Sequence, residues 1–299
     1  MSLYIEPRPP FDFDLQWRFF SWDKPSPEVY ENGVWRRALR VDGELLPVRV
    51  ESIGAVEKPK LNVDVLFGAD EHQIERISQK LRWIFNSEMD LTRLYGFMDK
   101  DRKLREVKQR LYGLKPANYA SVFEGVVKTI IQQQISLIGS MYITSRLILR
   151  FGGSVRVGDE WFYEFPSPSV LAEAPLAELR ECGLSRQKSL YIKGLSGMVE
   201  EGLDLEGIKR LPPEQAIEEL MKLKGVGRWT AELVVVTSTE CKEVLPADDL
   251  GVRRAVSTFF SRELMSGDDV RKVSEGWGEF KALVAYYLIC DERELTRRR

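Results

Sequence analysis

Apolar positions along this chain change their spacing near residue 88. Before it, "RRALRVDGELLPVRVES" and "KLNVDVLFG" alternate apolar and polar residues, the period of a half-buried strand. Asp42–Gly43, inside the first of these stretches, is a hairpin signal because both residue types tolerate positive φ. "HQIERISQKLRWIF" follows with a helical period. These segments predict a small α+β lobe with an antiparallel sheet over residues 1–88.

From Met89 onward the period is helical. "SVFEGVVKTIIQQQISLIGSMYITSRLILRFG" carries apolar residues at helical spacing and stops at Gly152–Gly153. "SPSVLAEAPLAELRECG" opens on a capping serine and closes on glycine, and "SRQKSLYIKGLSGMVEEG", "PPEQAIEELMKLKG" and "FKALVAYYLICDERE" extend the series. Short linkers between short helices predict a compact bundle over 89–299, with no repeat period. The expected fold class is α+β, mostly helical, with the sheet lobe at the N-terminus.

Composition removes several chemistries. His72 is the only histidine, so a Ser/His/Asp triad or a histidine-rich zinc site is not expected. Cys182, Cys241 and Cys290 are far apart and odd in number, which predicts free buried thiols and neither disulfides nor a cysteine-held metal. Chemistry must then run on carboxylates, lysines, hydroxyls or backbone groups, without a metal or cofactor. No stretch of eighteen apolar residues predicts a membrane span, and the start "MSLYIEPRPPFDFDL" has no secretory pattern. A monomer in a prokaryotic cytoplasm, or in a nucleus, is the expected setting.

Net charge is −2, so a nucleic-acid ligand would have to be held by local features and not by bulk attraction. Two basic runs exist, "KDRKLREVKQRLYGLK" from Lys100 and the terminal "TRRR"; each reads first as a solvated face or tail. A second kind of local feature needs few cations. "KLKGVGRWTAE" places Gly225 and Gly227 between two predicted helices, the pair spanning 213–236. Glycines there leave the amides of Gly225, Gly227 and Arg228 open at the N-terminus of the second helix, where orphan N–H groups and the helix dipole favour a phosphate. A bare G-x-G is also just a cap and a tight turn.

"LPADDLGVRRAV" follows, and Asp248 or Asp249 can cap a helix beginning near Leu250. Capping and catalysis are compatible. Helix amides keep a carboxylate ionised, and an ionised carboxylate in a cleft stabilises the positive charge that develops on a sugar as its base departs.

Taken together, these segments resemble the 3-methyladenine DNA glycosylase II family, the alkylbase branch of the helix-hairpin-helix glycosylases. "PPFDFDLQWRFF", "FEGVVKTIIQQQIS", "GLSRQKSLYIKGL", "LKGVGRWTAE" and "PADDLG" are similar to that family's motifs, in its order, over most of the chain. The resemblance implies a monofunctional enzyme that flips an alkylated purine (3-methyladenine, with 7-methylguanine or hypoxanthine in reach) out of duplex DNA. It implies Asp249 as the catalytic carboxylate and Asp248 as a capping neighbour. Bifunctional relatives keep a lysine where Trp229 stands, so water is expected to complete the reaction. The segment "QQQIS" implies Gln133 and Gln134 as the wedge that fills the vacated stack, a step that base eversion requires. Phe19, Trp229 and Tyr286 or Tyr287 are the aromatic candidates for the base pocket, since a cationic purine favours electron-rich rings. Lys188 and Arg186 are candidates to meet phosphate. Alternatives are the same fold acting on 8-oxoguanine or another lesion, and a non-catalytic helix-hairpin-helix DNA-binding module.

Overall fold

The computed structural model describes residues 2–19 and 25–297. Its first lobe is built from β1 (Ser2–Ile5), α1 (Phe13–Arg18), β2 (Val29–Glu31), β3 (Val34–Val41), β4 (Glu44–Ser52), β5 (Leu61–Val65) and α2 (Glu71–Ile84). The five strands are antiparallel in the order β1-β5-β4-β3-β2. Alternation is clearest in β5, where Leu61, Val63 and Val65 are buried and the residues between them are not. Ile77, Leu81 and Ile84 of α2 lie over this face, and Asp70 and Gln73 form a reciprocal capping box at the helix start.

The hairpin signal at Asp42–Gly43 reads correctly. Val41 pairs with Glu44, and the two turn residues have φ of 51° and 84°, the double left-handed geometry that suits the twist of the strands. Asn32–Gly33 makes the same turn between β2 and β3.

The helical part holds α3 (Thr92–Met98), α4 (Arg102–Arg110), α5 (Val122–Gln132), α6 (Leu137–Phe151), α7 (Pro168–Glu173), α8 (Leu176–Glu181), α9 (Arg186–Glu200), α10 (Pro213–Met221), α11 (Arg228–Ser238), α12 (Leu250–Phe259), α13 (Gly267–Ser274) and α14 (Lys281–Arg297). Two departures from the expected helical run matter. The stretch expected to be helical up to Gly152 is broken at Gln133–Ser136 into α5 and α6. A hairpin, β6 (Ser154–Val157) with β7 (Glu160–Tyr163), interrupts the helices and ties back to the sheet through Arg36–Glu160 at 2.6 Å. No helix among the described residues is long and apolar enough to cross a membrane.

Two apolar cores organise these helices. One gathers α5 to α11, with Ile130, Ile131, Val234 and Val235 at its centre. The other gathers Leu15 and Phe19 with α3, α4 and α12 to α14. The chain crosses from the first to the second between α11 and Leu245. The first turn of α11 and the start of α12 therefore belong to different lobes.

α5 is buried from Val122 to Ile131, and that includes its charges. Arg37 of β3 bonds Glu124 at 2.7 Å and also pairs with Glu28, while Lys128 reaches Glu124 at 2.6 Å and Glu28 at 3.3 Å. This four-member network fastens the sheet lobe to α5. Among the thiols, Cys182 and Cys290 are buried and free, and Cys241 is free but only half-buried.

Candidate active site

The hairpin between α10 and α11 is shaped by one obligatory glycine. Gly225 has φ of +88°, and a Cβ there would lie 2.2 Å from the Tyr191 ring. Gly227 is different: its backbone is extended (φ −93°, ψ 178°), it is exposed, and a Cβ would meet nothing within 4 Å. Folding demands glycine at 225 and not at 227. α11 starts at Arg228 with no side-chain cap, so its first-turn amides stay open as expected. The Arg228 guanidinium is held by Glu232 at 2.9 Å and Glu214 at 3.0 Å. Glu232 is buried, its second oxygen has no partner among the described residues, and burial raises its carboxyl above the usual range.

Asp249 is the N-cap of α12. Its Oδ1 accepts from the amides of Gly251 at 2.8 Å and Val252 at 3.1 Å. Its Oδ2 accepts from the indole N–H of Trp229 at 3.3 Å. Both residues are half-buried. One oxygen is thus committed to the helix end, and the other faces the opposite lobe beside the hairpin. Asp248, expected to cap, does not. It points to solvent and pairs with Arg271, because the chain turn at Pro246–Asp249 leaves only Asp249 in register with the α12 amides.

The "QQQIS" segment forms the break between α5 and α6. Gln133 is turned inward: its Nε2 donates to the Gly225 carbonyl at 2.8 Å and to Thr230 Oγ1 at 3.0 Å. Gln134 is exposed and sits at φ of +57°, with exposed Ile135, Leu137 and Ile138 beside it. Of the two residues expected to project outward, only Gln134 does so. Lys188 was expected at phosphate, but its Nζ donates to the carbonyls of Ile131 at 2.9 Å and Gln133 at 2.6 Å, capping the C-terminus of α5.

Two further aromatic candidates, Tyr287 and Phe19, lie in an apolar core. Tyr287 has 0% exposure; its hydroxyl donates to the Leu114 carbonyl at 2.7 Å and lies 3.1 Å from that of Tyr95. It is a satisfied core tyrosine and presents no wall to a ligand. Phe19 is buried in the same core, and its carbonyl accepts from Arg293. Phe20, in the same opening motif, lies outside the described residues. Trp229 is an aromatic candidate that bonds Asp249 directly.

The basic run from Lys100 is largely spoken for. Lys108 pairs with Asp99, Arg110 holds Asp291 at 2.6 Å, Lys103 reaches the Phe259 carbonyl at 3.1 Å, and Lys115 is buried on the carbonyls of Arg8 and Ser87. Arg298 and Arg299 of the terminal run lie outside the described residues.

An uncapped helix start, a lone left-handed glycine in front of it and a half-buried aspartate from the neighbouring lobe are thus contiguous. Comparison with known proteins matches residues 127–279 to the HhH-GPD superfamily of base excision DNA repair proteins. The chain belongs to this superfamily. The matched span runs from α5 through the hairpin and Asp249 to the segment before α14. Over 97% of the chain, its fold is similar to a 3-methyladenine DNA-glycosylase from Archaeoglobus fulgidus, with a TM-score of 0.87, 37% identity and 98% of that chain covered. A DNA-3-methyladenine glycosylase of Bacillus subtilis is 24% identical over 72% of this chain and 71% of its own. An 8-oxoguanine glycosylase/lyase of Clostridium acetobutylicum, solved with double-stranded DNA, shares the fold at a TM-score of 0.76 with 19% identity, covering 99% of this chain and 98% of its own.

Proposed function

We propose that the chain is a monofunctional DNA glycosylase that takes duplex DNA containing an alkylated purine, everts that nucleotide and hydrolyses its N-glycosidic bond. The observation that carries this reading is the position of Asp249 Oδ2, one hydrogen bond from Trp229 at the hairpin and in the opposite lobe. A hairpin that grips one strand through the open amides of Gly225, Gly227 and Arg228 brings the deoxyribose of a nearby everted nucleotide toward that oxygen. As the bond to the base lengthens, positive charge collects on the sugar ring, and a fixed carboxylate stabilises it and orients water. The cap bonds on Oδ1 keep the group from rotating away, so no reorganisation is needed during the reaction.

Trp229 occupies the place where a lysine would form a covalent Schiff base, which supports hydrolysis without strand cleavage. Its indole also offers a face for a cationic purine while its N–H holds Asp249. 3-Methyladenine is the proposed lesion, with 7-methylguanine and hypoxanthine as further candidates. The non-catalytic alternative accounts for the cap bonds of Oδ1 but not for a second carboxylate oxygen held beside the hairpin, where negative charge opposes a phosphate grip.

The test is base release from duplexes each carrying one lesion: 3-methyladenine, 7-methylguanine, hypoxanthine, 8-oxoguanine or uracil. Release of the alkylated purines ahead of 8-oxoguanine and uracil, with no borohydride-trapped complex, supports the reading. Preference for 8-oxoguanine, trapping of the wild-type protein, or no release from any duplex overturns it.

A further inference from the structure

Gln133 makes two contacts that a wedge residue has no reason to make. Its side chain bonds the Gly225 carbonyl and Thr230 Oγ1, both in the hairpin, although Gln133 lies 92 residues before Gly225. The next residue, Gln134, adopts a left-handed conformation and faces outward. One side chain therefore links the outward-facing turn to the strand-gripping turn.

Lys188 holds this arrangement from behind. It is the third residue of α9, and a lysine in the first turn of a helix sits at the unfavourable, positive end of the dipole. What offsets that placement is the negative end of another helix: its ammonium takes the last carbonyls of α5, at Ile131 and Gln133. Those bonds anchor the Gln133 backbone while its amide reaches sideways to Gly225. Burial lowers the Lys188 ammonium below the usual lysine range, so the charge sits partly withdrawn from water next to those carbonyls.

We infer that Gln133, anchored by Lys188, is a positioning residue that couples the outward Gln134 turn to the glycine hairpin, so that strand grip and stack filling occur as one step. The inference rests on the glycosylase reading above. A loose Gln134 turn would have to be ordered again for each insertion, and the latch removes that cost. Filling a stack matters only where a stack exists. The latch therefore acts on duplex DNA and has little to do on single strands.

The test compares wild type, Gln133→Leu, Lys188→Met and Lys188→Arg on DNA treated with a methylating agent, either as duplex or heat-denatured. Wild type must release methylated base; if it does not, the glycosylase reading fails and not the latch. Gln133→Leu is expected to lose roughly tenfold more activity on duplex than on single strands, the scale of two lost hydrogen bonds. Lys188→Met should shift the same ratio in the same direction, and Lys188→Arg should restore it. A third arm measures Gln134→Ala alone and together with Gln133→Leu. Coupling predicts that the double variant is little worse than Gln134→Ala on duplex. Equal losses on both DNA forms, or additive losses in the double variant, would mean that Gln133 merely supports the fold, and the latch is overturned. Lys188→Met gives the same decision should Gln133→Leu fail to fold.

Discussion

The indole N–H of Trp229 lies 3.3 Å from Asp249 Oδ2, and this bond joins two lobes that have separate apolar cores. It places the first turn of the hairpin helix against the oxygen of the capping aspartate that the α12 amides do not hold. Position of the carboxylate therefore depends on how the lobes dock, and Trp229 is the residue that reports it.

Trp229→Phe keeps an aromatic face and removes the donor. Base release should fall roughly tenfold while DNA affinity changes little, because the lost bond orients the carboxylate and not the strand. Single-turnover release and equilibrium binding measured on the same duplex separate the two. Trp229→Lys places an amine at the same point, and some of that variant should be trapped on DNA by borohydride. Complete absence of trapping would contradict the placement of Trp229 beside the sugar.

Two alanine substitutions in one turn should behave oppositely. Gly225→Ala forces a side chain into a left-handed residue and against the Tyr191 ring, so it should cost about 1–3 kcal/mol of stability. Gly227→Ala meets neither obstacle, since its backbone is extended and the space is open. That variant should melt like wild type yet bind DNA more weakly, because the methyl stands where a phosphate would approach the amides. Thermal unfolding and binding isotherms decide it. Equal affinity of Gly227→Ala and wild type would remove the phosphate seat.

The network between the sheet lobe and α5 sets an acid limit on stability. Although burial opposes ionisation, the charges of Arg37 and Lys128 win and hold the Glu124 carboxyl at about 2. A carboxyl whose folded value lies below its unfolded one, near 4.5, contributes stability in full above about 4.5. That contribution is lost as pH falls toward and through about 2. Urea unfolding at stepped pH should show the decline beginning below about 4.5, and Glu124→Gln should abolish this part of it. The same variant leaves buried cations without their main partner, so it should lose about 3–5 kcal/mol at neutral pH. A fully stable Glu124→Gln protein would show that the network is not structural cement.

The hairpin and Asp249 were legible in the sequence because each is a local pattern: glycines before a helix, an aspartate at the residue where a helix starts. The sheet lobe was legible for the same reason, through its period of two and the Asp42–Gly43 turn. What escaped depends on contacts between distant residues. Lys188 looks like an exposed cation until the carbonyls of Gln133 and Ile131, 55 and 57 residues before it, are known to lie at its ammonium. Gln133 and Gln134 are chemically alike and adjacent, yet Gln133 bonds inward to the hairpin while Gln134 takes a left-handed backbone and stays exposed. Tyr287 shows why an aromatic at helical spacing is ambiguous: either core or pocket satisfies the pattern, and here the hydroxyl found its partners in the interior. The β6–β7 hairpin escaped because its strands are four residues each and lie among helices.

If Asp249 stabilises the sugar cation, Asp249→Asn should remove that charge and leave the cap in place. Asparagine is as good an N-cap as aspartate, so α12 and the fold should persist and DNA binding should stay within a few-fold of wild type. Single-turnover release of methylated purine from duplex DNA should drop by at least roughly a hundredfold, as when a fixed charge-stabilising group is removed from an active site. Release by Asp249→Asn at the wild-type rate would show that the Asp249 charge takes no part in base release.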